Sequence, residues 1–185
     1  MKRHIAILLF LIYTTVCHAA WRENEKRIDT TLQVSQFNRI ASKYLEVPTS
    51  VIALKMGGVE SLGVEARKGN EVYFSINHVD EYLAMIAKYM EWQKQASENG
   101  DAFTKTIGEV KGPMAGIRER FGFYSGNAKT HYLTIGSCVT LFNTCSDVEE
   151  PPQFYDLDNA KKLVELLNRF KSGELKSEDV SEKYK

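Results

Sequence analysis

Four glycine-bearing joints do most to limit how this chain can fold. Gly57-Gly58, Lys68-Gly69-Asn70, Lys111-Gly112-Pro113 and Ser125-Gly126-Asn127 punctuate the middle of the sequence. Glycine and asparagine accept the positive φ of tight hairpin turns, so the runs between these joints read as antiparallel strands. Residues 50–56, 59–67 and 71–76 make a first trio, in which Val72, Phe74 and Ile76 alternate onto one face. Residues 103–110, 115–124 and 129–142 make a second.

Each trio is followed by a helical pattern. Val79, Tyr82, Leu83, Ile86, Tyr89 and Met90 recur at helical spacing, with Asn77 as the cap and Asn99-Gly100 as the stop. Ala160, Leu163, Val164, Leu167 and Phe170 do the same between Asp158 and Gly173. Phe37, Ile40, Ala41, Tyr44 and Leu45 share the i, i+3, i+4, i+7, i+8 spacing and predict a further helix over 35–45, capped by Ser35 and ended before Pro48. Residues 20–31 read as a polar lead-in and residues 143–155 as a long polar loop.

The expected order is α-βββ-α-βββ-α. It describes a single α+β domain over residues 20–173, with an antiparallel sheet of about six strands whose one apolar face is covered by the helices. Residues 174–185 are almost all charged or small and read as a flexible tail. The stretch from Ile76 to Tyr89 resembles that from Leu157 to Phe170 position by position, which suggests a βββα duplication.

The first residues bear on location. Lys2, Arg3 and His4 precede a mostly apolar run over residues 5–16, and Cys17-His18-Ala19 places small residues at −3 and −1 of a cleavage site. Residues 1–19 therefore read as a cleaved signal peptide. The run is shorter than the roughly 20 apolar residues of a transmembrane helix. Cleavage turns a neutral precursor into a chain with net charge −2, since Lys2 and Arg3 leave with the signal. It also leaves two of three cysteines, Cys138 and Cys145, as an even count for an oxidising compartment. The expected location is periplasmic or secreted, with a Cys138–Cys145 disulfide and no membrane span after cleavage.

Charge and motif content narrow the function. Without a basic excess, nucleic acid is not an expected partner. No Walker A, Gly-x-Gly-x-x-Gly, Gly-x-Ser-x-Gly or His-Glu-x-x-His spacing occurs, so neither a cofactor nor a metal is expected. Asp147, Glu149, Glu150, Asp156 and Asp158 lack calcium-loop spacing and are broken by Pro151-Pro152. His131 falls in phase with Leu133 and Ile135, as a buried strand histidine does.

Two features suit an interaction surface. The 143–155 loop, pinned by the disulfide, carries Phe154 and Tyr155. On the strand over 115–124, Arg118, Arg120 and Tyr124 share one face, opposite Ile117, Glu119, Phe121 and Phe123. The expectation is a non-catalytic protein-interaction module, such as an inhibitor, immunity or accessory protein, contacting a protein partner in the envelope or outside the cell. A homodimer also stays open. The alternatives are a hydrolase using carboxylates or His131, and a carrier of a small apolar ligand held between sheet and helices.

Overall fold

The computed structural model describes residues 22–67, 70–141, 144–147 and 151–179. The expected signal and its cleavage site lie outside these residues, as do Lys68-Gly69, Glu149, Glu150 and residues 180–185. The strands are β1 (Arg22–Ile28), β2 (Val34–Asn38), β3 (Lys43–Val47), β4 (Ser50–Met56), β5 (Val59–Arg67), β6 (Asn70–Ser75), β7 (Thr104–Lys111), β8 (Ile117–Asn127), β9 (Thr130–Leu141), β10 (Thr144–Asp147) and β11 (Gln153–Tyr155). The helices are α1 (Val79–Asn99) and α2 (Leu157–Lys171), with a short 3₁₀ turn, Ile76–His78, leading into α1.

The protein is an antiparallel α+β structure, but its strands form two sheets rather than one of six. Sheet 1 has the order β1-β4-β5-β6. Sheet 2 has the order β3-β2-β11-β9-β8-β7, with β10 added to β9. Gly57 and Gly58 take φ of 56° and 79° in the two-residue β4–β5 turn, the left-handed values that such a hairpin requires.

The helix expected over 35–45 is instead the β2–β3 hairpin. Asn38 Oδ1 accepts from the backbone N–H groups of Ile40 and Ala41, both at 3.0 Å. That local turn competes with helix formation. Cross-strand pairs Val34–Val47 and Phe37–Tyr44 then align, and β11 pairs with the other edge of β2. Ile40, expected on a buried helix face, sits at the turn and is 99% exposed. The expected lead-in is largely the edge strand β1, paired with β4. Its many charges suit a sheet edge, where they discourage further pairing.

Asp156, rather than Asp158, caps α2 by accepting from Asn159 N–H at 2.8 Å. Ser75, rather than Asn77, caps the 3₁₀ turn before α1. Gly100, at φ 72°, closes α1 as expected. The two proposed βββα units differ in topology. The strand before α1 is the edge strand β6, whereas the strand before α2 is β11, interior to sheet 2. The 143–155 loop contains β10 and β11.

One core joins both sheets to both helices. Tyr82, Ile86 and Tyr89 of α1 and Leu163, Leu167 and Phe170 of α2 meet Val64 and Phe74 of sheet 1 and Phe121, Phe123, Leu133 and Ile135 of sheet 2. Sheet 1 buries its other face as well, through Ile52, Leu54, Met56 and Tyr73, with Met114 packed against them. The segment expected to be a flexible tail is attached to the fold at residues 175–178. Leu175 is buried, Ser177 Oγ donates to Glu60 Oε1 at 2.8 Å, and the Glu178 N–H donates to the Asn24 carbonyl at 2.9 Å. Among the described residues no helix is long and apolar enough to cross a membrane.

The free edge of β6 faces sheet 2, and side chains satisfy its backbone there. Gln153 Nε2 donates to the carbonyl of Asn70 on β6 (3.0 Å) and to that of Val64 on the adjoining β5 (2.8 Å). The Ser75 N–H donates to the Tyr82 hydroxyl at 3.2 Å, and that hydroxyl donates to the Lys111 carbonyl. Glu119 accepts from the Tyr73 N–H. Buried backbone groups left unpaired are costly, so these polar side chains close the seam between the sheets.

Candidate functional site

Strand alternation sorts the expected site residues. On β8, Glu119, Phe121 and Phe123 point inward and are buried, while Arg118, Arg120, Gly122 and Tyr124 share the outer face of sheet 2. On β11, Phe154 stands opposite Thr134 and Ser35, on that same outer face. Its neighbour Tyr155 points inward, is 0% exposed, and donates its hydroxyl hydrogen to Gln153 Oε1. Tyr155 therefore belongs to the core and leaves the set of surface candidates.

Sheet pairing adds three rings to Phe154 and Tyr124. Phe37 of β2, Tyr44 of β3 and Tyr132 of β9 lie on the outer face, with Tyr44 at the hub. Its ring centroid is 4.7 Å from Tyr132, 4.7 Å from Phe154, 5.3 Å from Phe37 and 5.8 Å from Tyr124. Burial against these rings raises the pKa of the Tyr44 hydroxyl, which stays a neutral hydrogen-bonding group. Phe37 is 52% exposed, and the other four rings are half-buried.

Beside the rings lies a depression of about 270 Å³, floored by Gly122, Thr134 and Gly136 and walled by Arg120, Thr104 and Pro152. A Cβ at position 122 would strike Thr134 Oγ1, and one at 136 would come within 3.2 Å of Pro152 Cβ. Glycine is what keeps this floor low. Arg120 lines the depression, and Arg118, two residues along β8, lies outside that lining. Arg120 Nε donates to Glu109 Oε1 at 3.0 Å, and its guanidinium also donates to the Cys145 carbonyl at 2.6 Å. Arg120 thus fastens β10 to sheet 2. Arg118 forms no ion pair among the described residues.

Cys138 and Cys145 form a disulfide, with Cα atoms 5.4 Å apart. It fastens β10 to β9 alongside their backbone pairing. Glu109 and both sulfurs cluster closely enough to suggest a metal site, but the disulfide leaves no thiolate to serve as a ligand.

His131 is buried and stacks on Phe123 at 5.3 Å. Its Nδ1 lies 2.8 Å from Ser125 Oγ, and burial lowers its pKa, favouring the neutral ring. Its Nε2 is buried without a hydrogen-bond partner among the described residues.

Sequence reasoning missed Phe37, Tyr44, Tyr132 and Glu119. Phe37 and Tyr44 were absorbed into a helical spacing. Tyr132 alternates with the His131, Leu133, Ile135 series, a signal that places it outward. The inward phase of Glu119 was visible, but its partners come from other strands. Its carboxyl is 1% exposed and accepts from Ser137 Oγ at 2.8 Å. Burial pushes its pKa up to about 7, partly offset by the Ser137 and Tyr73 hydrogen bonds. No family model matches the chain, no curated protein matches it, and no solved structure matches it.

Proposed function

We propose that this protein is a non-catalytic interaction module that acts outside the cytoplasm, and that the outer face of sheet 2 is its docking surface. The observation that carries this reading is the convergence of Phe37, Tyr44, Tyr124, Tyr132 and Phe154 on a solvent-facing sheet. Aromatic anchors beside arginine are the residues that dominate protein interfaces. The partner is a protein presenting an apolar side chain to the rings and an acidic group to Arg118, which forms no ion pair among the described residues. The disulfide supports a location where thiols oxidise.

The test uses the exported protein as bait in its own envelope and secreted fractions. Phe37→Ala and Arg118→Ala are compared with Lys94→Ala, on the exposed side of α1. The expected result is a protein held by wild type and by Lys94→Ala but released by both face variants, with melting temperatures unchanged. Retention by both face variants overturns the proposal. Mass spectrometry of the exported chain is expected to find residues 1–19 absent; an intact N-terminus refutes the export route.

A further inference from the structure

We propose that the cavity at the seam between the sheets binds a small organic ammonium ion, seated on the Glu119 carboxylate. The cavity measures about 280 Å³, near the lower end for small-molecule sites. Its polar wall carries Glu119 and Ser137, and its apolar wall carries Val72, Met114, Ile117 and Tyr73. This is a different surface from the docking face, and the proposal does not depend on that reading.

Charge decides the ligand class. Glu119 is buried with two hydrogen-bond donors, Ser137 Oγ–H and Tyr73 N–H, and pairs with no cation among the described residues. Tyr73 of β6, Tyr82 of α1, Tyr155 of β11 and Ser137 of β9 surround it, all neutral. Its register partner on β7 is Val110. Lys111 of β7 and Arg118 and Arg120 of β8 alternate onto the opposite face of sheet 2. Glu71, the other acid lining the cavity, accepts from the Tyr73 hydroxyl at 2.5 Å and lies 3.7 Å from Arg22, so its charge is already engaged.

Burying an ionised carboxylate without a counter-charge is unfavourable, whereas a paired and hydrogen-bonded one is tolerated. A primary ammonium supplies that counter-charge and three donors, and an apolar body fills the side lined by Met114 and Ile117. An anion is repelled by two carboxyl groups, and a neutral alcohol supplies no charge.

The test titrates the full-length disulfide-bonded protein with benzylammonium chloride and, separately, with benzyl alcohol, by calorimetry. Saturable binding of the amine and none of the alcohol is expected. Because the carboxyl ionises near pH 7 and must be charged to pair, affinity should rise about tenfold from pH 6 to pH 8. Glu119→Gln should abolish binding, and Phe37→Ala should retain it. The wild-type pH series decides the matter even if Glu119→Gln fails to fold. Equal binding of the alcohol, a pH-independent affinity, binding that survives Glu119→Gln, or no binding each overturns the proposal.

Discussion

Both sheets carry apolar side chains on the face turned away from the helices, yet they treat those side chains differently. On sheet 1, Ile52, Leu54 and Met56 are buried, with Met114 from the β7–β8 connection packed against them. On sheet 2, Phe37 is 52% exposed, and Tyr44, Tyr124, Tyr132 and Phe154 are half-buried around it. Among the described residues one such face is covered and the other is left open. The contrast supports the proposed docking surface, because stability alone favours covering both.

The sharpest way to break this contrast uses neighbours in sequence. Tyr155→Ala removes a fully buried ring and its hydrogen bond to Gln153, and should cost roughly 3–5 kcal/mol of stability in urea denaturation. Phe154→Ala, one residue away but facing out, should cost well under half of that. Equal losses would mean that the outer face of sheet 2 is a second core.

Leu54→Ala tests the closed face and should cost about 2–5 kcal/mol. A loss as small as that of Phe154→Ala would erase the difference between the two sheets.

The seam between them gives the next effect. The Glu119 pKa is raised from 4.5 to about 7, so between those values the native state binds more protons than the unfolded one. Stability from this group is therefore greatest at the acid end and falls as pH rises through 7. The full swing is about 3 kcal/mol. Glu119→Gln should flatten the stability profile between pH 5 and 8, measured by thermal melts at a series of pH values. An unchanged slope would assign the pH dependence elsewhere.

The disulfide contributes less. It closes a short loop, separated by 7 positions in sequence, and should contribute below the ~3 kcal/mol of a 15-residue loop. Cys138→Ser with Cys145→Ser should lower the melting temperature by a few degrees. Thiol labelling of denatured wild type should find neither Cys138 nor Cys145 free. The smallest stability effect is expected for Phe37→Ala, within about 0.5 kcal/mol, while partner capture is lost.

Local chemistry was readable without coordinates. The Gly57-Gly58 hairpin, the Gly100 helix stop, the apolar stripes of α1 and α2 and the Cys138–Cys145 pair all depend on residues a few positions apart. So does the alternation along β8 that sets Arg118, Arg120 and Tyr124 against Glu119, Phe121 and Phe123. The misreadings share a cause. Phe37, Ile40 and Tyr44 satisfy a helical period as well as a hairpin, and the contest is settled by Asn38 at the turn and by β11, which pairs Phe154 with Ser35 across more than half the chain. The lead-in became β1 because β4 offered an edge.

What the sequence determined alone is therefore the β4–β5 hairpin, the two helices α1 and α2 and the face alternation of β8, because turn geometry and side-chain periodicity act over a few residues. Tertiary structure decided which strands share a sheet, and with that which faces are open. It gathered five rings from β2, β3, β8, β9 and β11 onto one surface, and it buried Glu119 beside the free edge of β6. Strand pairing between distant segments is a non-local contact whose stabilisation comes only when the whole core assembles.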